Sequence, residues 1–482
     1  MSLRIIAGTW KGRRIAAPPG LDTRPLTGEA ETLAKRELAQ PHLHLVLQRD
    51  LLRAGGARHS LVGLDRVTLG RGATRSSRRF CESGKRTLAI HLPDTRMSSG
   101  HAVLERHGDE WSFEDRGSTN GSRIGRTRVT RATLEDGDRL ELGRSILSFR
   151  AALPTRANAV ADVDAADLAG LLASFGTLVP RLSSELETLA RVARSDVPVL
   201  LLGETGTGKE VLARAVHAES GRQGPFVAVN CGALPSGLVE SLLFGHKKGA
   251  FSGASNDELG FVRAAHGGTL LLDEIGDLAS LSQASLLRVL QEREVVPVGS
   301  TRPVAADVRV LAATHRPLVA LVDEGSFRAD LYARLSAFTF TLPPLRDRRD
   351  DLGLLVAAIL PRVAGARAGE LVLSEASADA LLSHDWPLNV RELEQRMKVA
   401  AVLADGDRLE LNMVRSVASA DAMPTRGPSL SPANEALRAE LIAKLVEHEG
   451  NVTHVSEAMG KPRPQVHRWL KRLGVAPGDF RR

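Results

Sequence analysis

Between residues 43 and 150 the apolar positions come in short alternating or β-branched runs. They lie at 61–69, 88–92, 102–106, 111–115, 139–142 and 146–150, and Gly and Asp turn signals separate them. A period of two buries one face of each strand, so a series of such runs predicts an all-β sandwich. The pattern changes between 174 and 404. Compact apolar runs at 197–202, 226–230, 269–272 and 308–313 alternate with helical periodicity, which predicts an α/β unit with a parallel sheet. From 433 to 475 the spacing predicts three short helices. The Ala/Asp/Pro-rich stretch 151–173 and the polar stretch 405–432, with Pro424 and Pro428, read as linkers. Residues 1–42 form a basic, Pro/Gly-interrupted extension expected to be disordered. The reading is multidomain: a sandwich over 43–150, an α/β domain over 174–404 and an all-α end over 433–482.

Composition narrows the class. A chain of 482 residues fits roughly three domains at about 150 residues each. Hydrophobic content of 43% and charged content of 25% are ordinary for a globular protein. No run approaches the roughly 20 apolar residues of a membrane span, and the start has no apolar signal core. Cys81 and Cys231 fall in different segments, so neither a disulfide framework nor a zinc cluster is expected. These features predict a cytoplasmic protein without a membrane partner. A net charge of +7 and a pI near 9.8 fit a polyanionic partner. The C-terminal stretch 461–482 is rich in Lys and Arg, with Asp479 its single acid, and residues 1–150 are also basic.

The chemistry centres on Gly203-Glu204-Thr205-Gly206-Thr207-Gly208-Lys209, which follows an apolar strand and precedes a helical run. In that context glycines let backbone N–H groups wrap phosphates, and Lys209 pairs with the β and γ oxygens. Glu210 stands where a Ser or Thr ligand for Mg²⁺ often follows. Downstream, an apolar strand ends in Asp273-Glu274, with Asp273 placed to hold Mg²⁺ and Glu274 to polarise water. Asn230 ends another strand, where it either restrains Glu274 or simply forms a turn. Thr314 is placed to sense a γ-phosphate. Arg328 and Arg334 are either surface residues or donors to a phosphoryl group across a subunit boundary. Between these motifs lies the small, flexible loop Gly249-Ala250-Phe251-Ser252-Gly253-Ala254 around one aromatic, a good exposed tip.

These motifs together, with the stretches FRADLYARL, LPPLRDRRDDL and WPLNVRELEQ, resemble bacterial enhancer-binding proteins, the AAA+ activators of sigma-54 RNA polymerase. The resemblance covers 174–404 and, more weakly, the C-terminal helices. It implies a P-loop ATPase with a helical lid that uses ATP and Mg²⁺, with Gly203 to Glu210 and Arg391 around the nucleotide. Asn230 would be the switch to Glu274, Thr314 part of sensor I, and Arg328 and Arg334 the fingers acting on a neighbour. A homo-oligomer follows, a hexamer when active and a dimer at rest, with Gly249 to Ala254 gripping sigma-54. The family loop has Thr where Ser252 stands, and losing one methyl there costs about 1 kcal/mol of contact. Lys247, Pro297, His315 and Leu388 are further departures from the family pattern. A regulator or phosphopeptide adaptor that hydrolyses ATP without engaging sigma-54 is the alternative.

The β-rich segment carries Leu69-Gly70-Arg71-Gly72, Met97-Ser98-Ser99-Gly100-His101 and Gly117-Ser118-Thr119-Asn120-Gly121 in order. It resembles a forkhead-associated (FHA) domain, which implies a phosphothreonine-protein partner. A guanidinium at Arg71 and a hydroxyl at Ser98 suit the phosphate, and Asn120 suits the ligand main chain. Ser99 completes the phosphothreonine-binding positions but stands where the family often has Arg, a departure expected to reduce affinity. His101 is expected to brace the loops. A sandwich with an unphosphorylated partner, or none, is the other reading. No receiver-domain acidic pocket is apparent, so two-component or, better, Ser/Thr kinase signalling through the sandwich is expected. Residues 1–26 resemble the opening of small rRNA guanine methyltransferases, but no methyl-donor domain follows and that activity is not carried over.

At the C-terminus, residues 450–459 and 464–473 have helix-turn-helix spacing around Met459-Gly460, resembling the Fis-type ends of the same activators. The resemblance implies enhancer DNA as partner. Gln465, His467 and Arg468 are the candidate base readers, and Arg463, Lys471 and Arg472 complete the donor-rich face. A basic solvated helix in a small bundle is the plainer reading.

Overall fold

The computed structural model describes residues 37–168, 175–235, 237–411, 441–448 and 451–472. The chain divides into two compact units, Met1–Asn412 and Met413–Arg482. The first contains the sandwich, the ATPase-type sheet and a helical lid.

One sheet of the sandwich orders Asp162–Asp164, Ala57–Ser60, Glu37–Gln48, Ser145–Arg156, Arg139–Leu142, Ser122–Ile124 and Thr127–Val129. The other orders Arg131–Thr133, Glu110–Asp115, Ala102–His107, Arg66–Arg71, Lys85–Leu92 and Ser76–Glu82. Inward residues such as Leu45, Val67, Leu88, Leu104, Phe113 and Phe149 form its core. The sheet extends further at both ends than the alternation suggested. Leu38 pairs with Thr155 and Gln40 with Leu153, so strands occupy part of the extension and of the linker read from sequence. Leu153 and Thr155 continue the period of two, but Pro154 between them, lacking a donor, hides it.

In the α/β part, five parallel strands lie in the order Phe226–Asn230, Thr269–Asp273, Arg309–Thr314, Val199–Leu202 and Phe338–Thr341. Leu200, Leu201, Leu270, Leu271, Leu272 and Leu311 are buried on both faces, as crossover helices require. The fifth strand, Phe338–Thr341, alternates over only four residues, too few to mark it in the sequence.

The lid consists of Leu352–Ala364, Glu375–Ser383 and Asn389–Leu403. Ser374 caps the second helix by accepting from the Ser377 N–H at 3.2 Å. Buried Trp386 donates its indole N–H to the Leu381 carbonyl at 3.1 Å. Residues 349–369 are apolar enough for a membrane span by composition. The α-helix there has 13 residues, about 20 Å of rise, which falls short of a hydrocarbon core.

In the second unit, residues 441–447 are helical, followed by Val452–Ala458 and Arg463–Arg472. Leu441, Leu445, Val452, Val455, Val466 and Leu470 form its core, with Trp469 packed against it. Asn451 caps the middle helix, and Gly460, at φ +60°, makes the turn. Arg463 is exposed. Leu473 and the side chains of His467, Arg468, Lys471 and Arg472 lie outside the described residues.

Candidate active site

All the sequence-predicted nucleotide residues except the two arginines gather at the C-terminal edge of the five-stranded sheet, the usual ligand edge of an open parallel sheet. Asn230 stands in register with Asp273, and Thr314 with Leu202, the last residue before the glycine loop. The loop leads into the helix Lys209–Glu219, whose free N–H groups and dipole favour an anion. Gly203, Gly206 and Gly208 all have positive φ. A Cβ on Gly206 would lie 2.2 Å from the Leu388 carbonyl oxygen, so only glycine fits.

Lys209 is buried, and its ammonium donates to the carbonyls of Gly203 at 2.9 Å and Glu204 at 3.2 Å. Burial holds its pKa below the usual lysine range, while Glu274 and Asp273 pull the other way. Burial, with Glu274 beside it, holds the Asp273 carboxyl above its usual range. Glu274 occupies the left-handed region at φ +51°, a strained position for a side-chain-bearing residue. Its Oε2 lies 2.8 Å from His315 Nδ1.

In this structure Glu274 is in contact with His315, while Asn230 faces its own turn. The Asn230 side-chain oxygen accepts from the N–H groups of Gly232 and Ala233 at 3.0 and 3.2 Å, capping a short turn. Glu274 is held by His315 instead. Thr314 is fully buried, and its hydroxyl accepts from the Arg316 N–H at 3.0 Å.

The lid side closes over the loop with residues that carry no recognisable signal of their own in the sequence. Arg346 pairs with Glu204 at 2.6 Å, Arg348 donates to the Thr207 carbonyl at 2.8 Å, and Asn389 donates to the Thr205 carbonyl at 3.0 Å. Two of these lie within LPPLRDRRDDL and one within WPLNVRELEQ, so the motifs marked the place but not the contacts. Arg391 lies over the loop, its N–H donating to the Gly206 carbonyl at 3.3 Å. Arg328 is tied to Asp330 at 2.7 Å, and Arg334 is exposed on the helix Ala329–Leu335.

The loop at 249–254 is a closed turn. The Gly249 N–H donates to the Ala254 carbonyl at 2.8 Å, and the Ala254 N–H to the Phe251 carbonyl at 3.1 Å. Phe251 is 37% exposed at its tip and rests on His246 at 5.0 Å between ring centroids. Lys247, at the base, pairs with Asp257 at 2.6 Å.

In the sandwich, the predicted phosphate residues also converge. The Arg71 N–H donates to the Ser98 carbonyl at 2.9 Å, and the Thr119 N–H donates to the Ser98 hydroxyl at 3.1 Å. Asn120 donates to the Arg96 carbonyl at 2.7 Å, and Ser99 is exposed beside it. His101 is fully buried and accepts from the Ser98 N–H at 3.1 Å, a brace as expected. Both cysteines are free, and burial pushes the Cys231 thiol up to about 12.

Sheet order, glycine loop and acidic strand end define an AAA+ P-loop ATPase domain with a helical lid, preceded by an FHA sandwich. The sigma-54 interaction domain family matches residues 178–341, the AAA+ ATPase lid domain 346–428 and the FHA domain 67–143. The chain is 43% identical over 309 residues to the hydrogenase transcriptional regulatory protein HoxA of Cupriavidus necator, covering 61% of this chain and 64% of that one. It is 41% identical over 315 residues to the transcriptional regulatory protein ZraR of Escherichia coli K12, covering 64% and 71%. NtrX from Brucella abortus, solved in complex with ATP, is similar at 31% identity and a TM-score of 0.45, over 62% and 69% of the two chains. The chain belongs to the sigma-54-dependent activator family.

Proposed function

We propose that this chain is a transcriptional activator that hydrolyses ATP in an oligomeric ring to remodel the sigma-54 RNA polymerase closed complex, under phosphothreonine control through its FHA domain. ATP would supply the γ-phosphoryl group, and Mg²⁺ held beside Asp273 would screen its charge. The donors fit both: loop amides and the buried Lys209 for the phosphates, and half-buried Asp273 for an ion completed by phosphate oxygens and water.

Glu274 orients and polarises the attacking water once it leaves His315. Thr314 and Asn230 sense the γ-phosphate end of the site, and Arg391 reports nucleotide to the lid. Arg328 and Arg334 act on a neighbour's site, which makes the homo-oligomer, a hexamer when active and a dimer at rest, part of the catalytic unit. The C-terminal helices anchor the chain to enhancer DNA through Arg463, Gln465, His467, Arg468, Lys471 and Arg472. The work is cytoplasmic.

One observation carries the reading: an exposed Phe251 at the tip of a closed turn, on the same domain as the P-loop. The test is capture of sigma-54 by the full chain with ADP and aluminium fluoride. Capture that disappears in Phe251→Ala, with ATP turnover retained, is the expected result. Wild type that hydrolyses ATP without capturing sigma-54 would make it the non-engaging regulator instead.

A further inference from the structure

The seam between the sandwich and the lid contains a cavity of about 300 Å³. Arg49, Asn120, Arg123, Arg128 and Glu141 line it from the sandwich, and Glu375, the first residue of the lid helix Glu375–Ser383, lines it from the other side. Asn120 belongs to the same loop that holds the Ser98 hydroxyl through Thr119, so the cavity continues the phosphothreonine surface.

Three guanidiniums meet two carboxylates there. Arg49 is taken up by Glu141 at 3.0 Å. Arg123 is gripped by Glu375 and lies 3.6 Å from Glu141. Arg128 has no ion-pair partner among the described residues, and its guanidinium lies across Gly121, 2.6 Å from where a Cβ would stand. Glu375 and Glu141 already occupy the Arg123 guanidinium, so a further carboxylate pairs with Arg123 by taking the place of Glu375.

We propose that this cavity receives an acidic side chain flanking the phosphothreonine of the FHA ligand, with Arg128 and Arg123 as its partners and Glu375 as the internal anion it displaces. The proposal rests on the phosphothreonine reading of Arg71 and Ser98. An exposed Arg–Glu pair is weak enough to exchange, and a carboxylate tethered through the bound phosphate arrives at high effective concentration. The Glu375 helix is joined to the nucleotide loop by hydrogen bonds. The Glu375 helix leads to Trp386 and then to Asn389, which holds the Thr205 carbonyl of the P-loop.

The experiment is titration calorimetry of the full chain with two phosphothreonine peptides that differ only in Glu or Ala beside the phosphoresidue. Wild type binds the Glu peptide about fivefold more tightly. Arg128→Ala removes the preference without weakening the Ala peptide, and Glu375→Gln tightens the Glu peptide about fivefold again. The Glu peptide, and not the Ala peptide, changes ATP turnover. Equal affinities in wild type, unchanged by Glu375→Gln but abolished by Arg71→Ala, overturn the inference and leave the phosphothreonine reading standing. Failure of both peptides to bind overturns both readings.

Discussion

The two glycine loops of the ATPase domain are similar in composition and opposite in construction. At 203–209 the glycines bring the backbone against other elements. A Cβ on Gly203 would lie 2.8 Å from the Leu342 carbonyl oxygen and one on Gly206 2.2 Å from that of Leu388, while Arg346, Arg348 and Asn389 clamp the loop from the lid. At 249–254 a Cβ on Gly249 or Gly253 would meet nothing within 4 Å. Those glycines supply only positive φ, +82° and +113°, for a turn that bonds to itself. A phosphate loop must be rigid before its ligand arrives, and a loop that pushes on a partner, the role proposed for 249–254, must be shaped but unencumbered.

The sharpest test of that contrast is Gly206→Ala. Its Cβ meets backbone that cannot step aside, at a φ that already disfavours a side chain. We expect a loss of about 3 kcal/mol, read by thermal unfolding, together with loss of ATP binding. An unchanged melting temperature would mean that the lid does not hold this loop.

A smaller effect should come from acid. The P-loop clamp continues into the sandwich: Asp351 accepts from the Thr177 hydroxyl at 2.7 Å and from the Leu178 N–H at 2.6 Å, and Arg58 donates to the Leu178 carbonyl at 3.1 Å. His42 and His44 lie at this seam, facing Asp350, Arg58 and Arg150, and burial lowers both to about 4. Burial pushes Asp351 up to about 6. The unfolded imidazoles take up protons that the folded ones refuse, so stability falls as pH drops from 7 to 5, by about 2 kcal/mol for each His. Asp351 acts in the opposite direction by about 1 kcal/mol, because its folded form holds a proton more tightly. The net is a loss of about 2 to 3 kcal/mol between pH 7 and pH 5. Melts at the two values, with His42→Gln/His44→Gln reversing the sign of the difference, check it. Because the seam reaches the P-loop and not the turn at 249–254, ATP affinity should fall with it.

The nucleotide site was legible because its chemistry is local. A glycine loop after an apolar strand and before a helix, and two acids at another strand's end, are patterns within a few residues of each other. Contacts made across long separations were not. Nothing near Glu274 announces His315, and nothing near Glu204 announces Arg346 or Asn389. The sandwich showed its alternating strands but not its full extent, because Pro154 interrupts a run that pairing with Glu37–Gln48 completes. The ion pairs of the seam, such as Arg150 with Asp350 at 2.7 Å, join charged residues that each look like ordinary surface in sequence.

On the other loop, Gly253→Ala meets no neighbour and suffers only its φ. About 1 kcal/mol is expected, with ATP turnover unchanged and capture of sigma-54 reduced. A loss as large as that of Gly206→Ala would erase the distinction between the two loops.

The smallest effect should belong to Ser252→Thr, and it isolates the output surface best. Ser252 is exposed beside Phe251. A methyl added there touches solvent in the free chain, so stability should stay within about 0.5 kcal/mol. On sigma-54 the same methyl becomes buried, which contributes about 0.8 kcal/mol, or roughly a fourfold gain in capture. A gain in capture without a change in melting temperature or ATP turnover would show a loop whose composition is tuned to its partner alone. Stabilisation of the free chain instead would mean that position 252 packs on its own domain, and that the turn is less open than its glycines imply.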